Sequence, residues 1–412
     1  MVFDVWSRIN LTELHEFNSK DFINHQIDEI QKILGKKKAV IACSGGVDST
    51  VCAVLAQRAV GRNLVCIFID TNFMRLGEPE AVFKALSSPP LNLPVTLIRA
   101  QERFMKALSG LADAEEKRKA FRSTFYSILS EAAKREGCNF LIQGTILPDV
   151  LETVGGIKTQ HNVLEQMKIN TREVYGFKVV EPLVSLYKYQ VRDVAKALGI
   201  PLESSERPPF PGPGLSVRVI GQITPEKLSV EKNATEIVEE NLEGLGSKQY
   251  FPAIIADVKE HYLKAVEVGD ALSQVLNVDG AQISVRMLQN KATGIRKGQR
   301  LYGRIVLVDV KDVKGRCLTQ SMERFDAIQR KVVEIDEDVS RVLYMLTDDE
   351  RGGNWVIAVR AVETRDFVTA KISNLPWKTL RSIEEKIMDA CPEVSSVYYD
   401  ITPKPPSSIE FE

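Results

Sequence analysis

The stretch of this 412-residue chain best suited to chemistry is Ser44-Gly45-Gly46-Val47-Asp48-Ser49. Two glycines let the backbone turn tightly and expose its N–H groups, and the Ser44 and Ser49 hydroxyls add donors. A helix beginning at the turn contributes partial positive charge, so the segment reads as a cradle for a multiply charged phosphate. Asp48 would repel a bare phosphate, which implies a magnesium ion sharing the site with Asp48 as its ligand. No Lys follows the glycines, so this is not the Walker-type loop. A bare Ser-Gly-Gly reads more readily as a plain turn with a serine cap. The full hexapeptide, set between a strand and a helix, favours the cradle.

The elements that must position this loop are legible upstream and downstream. Ala39–Cys43, Leu64–Ile69, Val95–Ile98 and Phe140–Ile142 are short apolar runs, read as buried strands. Val47–Arg58, Ala114–Arg135 and Tyr187–Leu198 carry helical spacing between and after them. Apolar strands alternating with helices imply an α/β fold with a parallel sheet covered on both faces. Right-handed crossovers then put the post-strand loops on one edge, where Ser44, Asp70 and Gly144 fall. Arg207-Pro-Pro-Phe-Pro-Gly-Pro-Gly-Leu215 can be neither helix nor central strand, and by composition it reads as a domain linker. Beyond it the pattern turns α+β. Strands are expected at 282–287, 304–309, 355–361 and 394–401, with helices at 320–334 and 377–390 that suggest a diverged duplication. The expected domains are 1–220 and 221–412.

Composition narrows the class. Lys and Arg number 54 against 55 Asp and Glu, so no global basic field calls for nucleic acid. Six cysteines without a CxxC pair, and four histidines, argue against a structural zinc and for a reducing, cytoplasmic setting. The first residues mix acids with polar groups, unlike a signal peptide, and no apolar run has the length of a membrane helix. Cys43 reads as a small buried strand residue, not a nucleophile.

Ser44–Ser49 matches the signature of the PP-loop, or N-type, ATP pyrophosphatases, and four further blocks resemble GMP synthetase among them. These are Glu102–Phe104 through Glu116–Lys119; Gln143–Glu152 followed by Ile157–Asn162; Glu181–Leu183 with Arg207–Leu215; and Tyr399–Glu410. The resemblance covers 20–220 nearly continuously and 355–412 again. It implies adenylation of the C2 oxygen of xanthosine monophosphate (XMP) by ATP, followed by displacement of AMP by ammonia. On this resemblance Ser44, Gly45, Gly46, Val47, Asp48 and Ser49 hold the pyrophosphate and Mg²⁺, with Asp48, Ser49 and Lys158 in the catalytic roles. Asp70 and Arg75 suit the adenosine end of ATP, and Gly144 permits close backbone approach. Asp149, Glu152, Arg207, Arg360, Lys404, Ser408, Ile409 and Glu410 are the candidates for the acceptor nucleotide. Asp366 and Phe367 also fit the family's second-domain pattern.

The linker reading of the Pro-rich segment gives way to a rigid loop that fixes Arg207. The expected α+β region is similar to an enlarged dimerisation domain, which implies a homodimer. Neither a glutaminase half nor a Gly-rich cysteine elbow precedes the first strand, so ammonia is expected from solution or from a separate glutaminase subunit. Some acceptor-side positions depart from the family. Gln160 and Pro208 stand at its histidines, Arg122 replaces a small residue, and Gly294–Arg300 lacks an Asp. Two other readings stand beside GMP formation: a paralogue aminating a different nucleotide or purine-like acceptor, and a non-catalytic nucleotide-binding subunit.

Overall fold

The computed structural model describes residues 17–154, 171–201, 210–278, 280–364 and 368–412. Lys158, Gln160, Arg207, Pro208, Asp366 and Phe367 lie outside the described residues, as does the side chain of Glu152. The chain divides into two compact units. The first holds the residues up to Asn72, then Gly77–Ala107 and Ala120–Arg207; the second holds Phe73–Leu76, Leu108–Lys119 and the chain from Pro208 onward. Among the described residues, no helix is long and apolar enough to cross a membrane.

The first unit runs α1 (Ser19–Leu34), β1 (Lys38–Ala42), α2 (Val47–Val60), β2 (Leu64–Asp70), α3 (Glu78–Ser87), β3 (Val95–Arg99), α4 (Gln101–Leu108) and α5 (Ala114–Glu136), of which Leu108 and the start of α5 through Lys119 belong to the second unit. It continues with β4 (Cys138–Ile142), α6 (Leu147–Val154), α7 (Thr171–Val174), β5 (Lys178–Val180) and α8 (Lys188–Leu198). All five strands are parallel, in the order β3-β2-β1-β4-β5. Ala39, Ile41, Leu64, Cys66, Phe140 and Ile142 share one core with Ile23 and Ile30 of α1, Val51 and Leu55 of α2, and Val191 and Val194 of α8. The alternating residues Val40, Ile67 and Leu141 are buried as well, as continuous apolar strands require when both sheet faces are covered.

Strand order reverses between β1 and β4, and in an open parallel sheet that reversal opens a crevice at the strand ends. The loop from β1 into α2 and the loop leaving β4 therefore meet there. Gly45 takes a φ of 81°, and a Cβ would lie 2.7 Å from Val82 Cγ1. At Gly144 a Cβ would stand 3.0 Å from the Asp48 carbonyl carbon and 3.1 Å from Ser49 N. Both glycines are thus required by close packing around the loop.

The second unit is α+β, as expected from the sequence. Its elements are α9 (Pro225–Leu242), β6 (Gln249–Ala256), β7 (Lys259–Glu260), α10 (Ala265–Leu276), β8 (Gln282–Arg296), β9 (Gln299–Lys311) and α11 (Met322–Ile335). They continue with β10 (Val339–Met345), β11 (Trp355–Glu363), β12 (Lys371–Ile372), α12 (Trp377–Ala390) and β13 (Val394–Asp400). The sheet is ordered β12-β11-β13-β10-β9-β8-β7, with β6 also paired to β11. Two parallel strand–helix–strand units, β9-α11-β10 and β11-α12-β13, lie side by side, in keeping with the duplicated pattern. Strand β8 extends well past the expected Met287. A register break between Leu288 and Lys291 interrupts the alternation that marks a strand in sequence. The Gly294–Arg300 segment turns the β8–β9 hairpin through Lys297 and Gly298, both at positive φ.

This packing can be probed at two positions. Gly144→Ala drives a methyl group against the α2 backbone, and should cost about 1–3 kcal/mol of stability, measured by denaturant unfolding. Glu231 on α9 is fully buried and neither carboxyl oxygen has a hydrogen-bond partner. Burial raises its pKa well above the ordinary value, with Arg218 and Lys227 opposing that shift and Glu410 adding to it. The folded state then holds the proton more tightly than the unfolded state. This contribution to stability is full below about 4.5 and is lost as pH rises towards the folded value. Glu231→Gln should therefore gain stability relative to the parent on going from about pH 5 to about pH 8. An unchanged difference at the two pH values would contradict this.

Candidate functional site

In the first unit the loop is tied internally. Ser44 Oγ and Ser49 Oγ lie 3.0 Å apart, Gly46 N donates to Ser44 Oγ at 3.3 Å, and Ser49 Oγ donates to Gly46 O at 3.0 Å. Gly46 is the extended N-cap of α2 and supplies no side-chain acceptor. The first N–H groups of α2 thus lack a side-chain cap and remain available to an anion. Asp48 Oδ2 accepts from Lys188 Nζ at 2.6 Å, while buried Oδ1 has no hydrogen-bond partner. Lys188 opens α8 and is not among the residues that the sequence singles out. The signal that could have found it is position: it is the first helical residue after the loop that follows β5.

The orphaned Asp48 oxygen suits a divalent cation. Among the described residues no group of three or more His, Cys, Asp or Glu side chains could hold one, so further ligands would come from phosphate oxygens and water. Cys43 is buried, and its thiol pKa is held well above the ordinary value by its hydrogen bond to Cys66 and by burial. A thiolate nucleophile is not favoured there.

Other candidates make defined hydrogen bonds within their own units. Asp70, 2 % exposed, accepts from Asn72 N at 3.0 Å and Gln101 Nε2 at 2.6 Å, and so orders the turn at the end of β2. Asp149 Oδ2 accepts from Ile146 N at 3.0 Å and closes the first turn of α6. Thr145, beside Gly144, donates to Glu181 Oε1 at 2.5 Å. Arg75 differs most from expectation. It belongs to the second unit, where Nε donates to both Glu239 oxygens at 2.8 and 2.6 Å, and its guanidinium lies 4.2 Å from the Phe210 ring centre. The sequence reading sets Arg75 beside adenosine; these are the contacts its side chain makes within the second unit.

The second unit carries the C-terminal candidates, and they are woven into the sheet. Phe411 O accepts from Thr293 N at 2.7 Å, and Glu412 Oε1 accepts from Gly221 N at 2.9 Å. Lys117, fully buried, pairs with Glu412 and donates to Val219 O at 2.7 Å and Gly221 O at 3.0 Å. Burial lowers the Lys117 pKa and pushes that of neighbouring Lys227 down to about 8. Arg341 and Arg360 both bond Asp400 Oδ2, at 2.9 and 2.7 Å. Arg341 also donates to Ser408 Oγ at 2.9 Å and Glu410 O at 2.6 Å, and Arg360 donates to Ser408 O and Ser407 Oγ, each at 2.9 Å.

Arg360 is fully buried, and its hydrogen bonds go to Asp400 and the tail. Burial, and then the neighbouring Arg360, lowers the Arg341 pKa to about 9. Around the tail Arg218, Arg341 and Arg360 outnumber Asp400 and Glu410, an excess that an anionic ligand would offset. Lys404, Ser408, Ile409 and Glu410 are each partly exposed. An open groove of about 570 Å³, lined by Arg296, Lys297, Arg330, Pro403, Pro405 and Pro406, flanks the Lys-Pro-Pro turn.

Known proteins share both halves. Residues 19–205 match the PP-loop domain family, and residues 345–411 match the GMP synthase C terminal domain family. One subunit of the glutamine-hydrolyzing GMP synthase from Sulfurisphaera tokodaii is 40 % identical over 96 % of this chain and 100 % of its own length. Its counterpart from Saccharolobus solfataricus is 37 % identical over the same shares. Among solved structures, the NH3-dependent NAD synthetase from Campylobacter jejuni aligns at 20 % identity and a TM-score of 0.36, over 46 % of this chain and 77 % of that one. With full-length relatives at this identity, the chain belongs to the GMP synthase family, as a relative of that one subunit.

Proposed function

We infer that this chain catalyses the ATP-dependent amination of XMP to GMP through an adenyl-XMP intermediate, releasing AMP and pyrophosphate. The observation that carries the reading is the uncapped α2 N-terminus at the sheet reversal, with an unpartnered Asp48 oxygen beside it. A purine C2 carbonyl is a poor electrophile with a poor leaving group. When the XMP C2 oxygen attacks the α-phosphorus, the bond to the β-phosphate bridge breaks and pyrophosphate leaves. Ammonia then adds at C2, loses a proton, and expels AMP with the former C2 oxygen.

The protein's part is positioning and charge stabilisation. Ser44, Gly45, Gly46, Val47 and Ser49 would offer N–H and O–H donors to the departing pyrophosphate. Lys188 would supply the positive charge that a Walker lysine supplies elsewhere, and Lys158 would add a second. Asp48 would hold Mg²⁺, which when bound screens charge accumulating on the phosphates. Gly144 keeps the opposite loop close. Lys404, Ser408, Ile409 and Glu410 would receive the acceptor nucleotide, with Glu152 and Arg207 as further proposed contacts. The relatives are named as one subunit of a glutamine-hydrolyzing synthase. The same reading therefore includes a separate glutaminase subunit as ammonia supplier. It also includes a homodimer and a cytoplasmic setting.

The test is turnover with ATP, Mg²⁺ and ammonium against a panel of nucleotides, with aminated product detected by mass. GMP formation strictly dependent on XMP is expected. Ser49→Ala and Asp48→Ala should each lower kcat at least about tenfold. Amination of another nucleotide in preference to XMP, or full turnover by both variants, would overturn the reading.

A further inference from the structure

Glu410 is a partly exposed carboxylate on a segment read as an acceptor-nucleotide contact, yet its side chain is not left to solvent. Arg218 Nε donates to one Glu410 oxygen at 3.1 Å and Nη2 to the other at 3.0 Å, a two-point grip that fixes the plane of the carboxylate. Arg218 itself is 2 % exposed. Its guanidinium lies 4.1 Å from the Phe251 ring centre and 5.1 Å from that of Phe210. Phe210 also carries Arg75, which is anchored by Glu239. Glu231, Thr235 and Glu239 recur at four-residue spacing on α9, so one helix face backs both guanidiniums.

Glu231 could compete with Glu410 for Arg218. It makes no hydrogen bond to Arg218, and Arg218 Nη1 likewise has no partner. Burial favours the neutral form of Glu231, which leaves the guanidinium committed to Glu410.

We propose that Arg218 is a positioning residue for the acceptor nucleotide, holding the Glu410 carboxylate through its two-point pair while Phe210 and Phe251 hold the guanidinium. This rests on the reading of Glu410 as a nucleotide contact. It gives the Pro-Phe-Pro-Gly-Pro-Gly segment a task beyond rigidity: its single aromatic ring carries both Arg75 and Arg218. Replacing the fork by a point charge keeps the attraction but loses the plane, so Arg218→Lys should retain part of the function and Arg218→Gln little of it.

The full chain is assayed with ammonium, titrating XMP and ATP separately, with melting temperatures recorded alongside. Glu410→Gln should raise the KM for XMP about tenfold. Arg218→Gln should match it, with Arg218→Lys between it and the parent, and the KM for ATP within about twofold throughout. The double variant Arg218→Gln/Glu410→Gln should be no worse than Glu410→Gln alone, because each change removes the same contact. Phe210→Leu keeps both charges, guards against an Arg218 variant that does not fold, and should raise the KM for XMP a few-fold. An unchanged KM for XMP in Glu410→Gln would overturn the nucleotide reading of Glu410, and the proposal with it. An effect of Glu410→Gln multiplied by that of Arg218→Gln, or none from Arg218→Gln and Phe210→Leu, would overturn the positioning role and leave that reading standing. Equal losses for ATP and XMP with a lowered melting temperature would also overturn it, as a merely structural effect.

Discussion

The uncapped N-terminus of α2, held where the parallel sheet reverses direction, is the constraint on which the rest of the first unit depends. A helix start without a side-chain cap leaves backbone donors unsatisfied unless water or a ligand meets them. Here Gly46 provides no cap, and the neighbouring serines bond mainly to one another and to the loop backbone. Gly144 is brought to van der Waals contact with Asp48, so the crevice between β1 and β4 is as narrow as a glycine allows. The charge arrangement follows. With no lysine inside the loop, Lys188 arrives from α8 and engages one Asp48 oxygen while the other has no partner.

The second unit solves a different problem, that of fixing an irregular segment rich in proline without regular secondary structure. It does so with buried guanidiniums. Arg341 and Arg360 share Asp400 and direct further donors to the backbone and hydroxyls of residues 402–410, with Arg341 also donating to Thr293 O. Burying such groups is costly, and the pairing with Asp400 and the hydrogen bonds to the tail offset that cost. Arg341 also lies over Phe411, and Arg218 over Phe251, so aromatic faces offset part of the lost hydration. Lys117 acts similarly through the carbonyls of 216–221 and the carboxylate of Glu412.

Much of the first unit was legible from residues alone, because buried parallel strands write themselves as apolar runs and the phosphate loop has a fixed place after one of them. The strands at β1 to β4, the helix following the loop, and the placing of the Ser44–Ser49 loop and Gly144 at one sheet edge all come from that pattern. Long-range pairing is what the sequence does not display. Nothing near Arg75 marks Glu239 as its partner, and nothing near Asp48 points to Lys188, because those contacts are created by tertiary packing. Arg360 is a candidate through the resemblance of its strand to the family's second-domain pattern, which does not display its bonds to Asp400 and the tail. The reach of β8 was hidden by a register break that ends the visible alternation. Asp149, an acid in a family-like block, also bonds the start of its own helix.

The central claim is that this chain activates a purine carbonyl oxygen by transferring AMP to it, and oxygen tracing tests that step directly. XMP labelled with ¹⁸O at the C2 oxygen is turned over with ATP, Mg²⁺ and ammonium, and the nucleotide products are examined by mass. Adenylation predicts that the label leaves with AMP, on its phosphate, while pyrophosphate stays unlabelled. Label found in pyrophosphate, in orthophosphate or in water would contradict attack at the α-phosphorus.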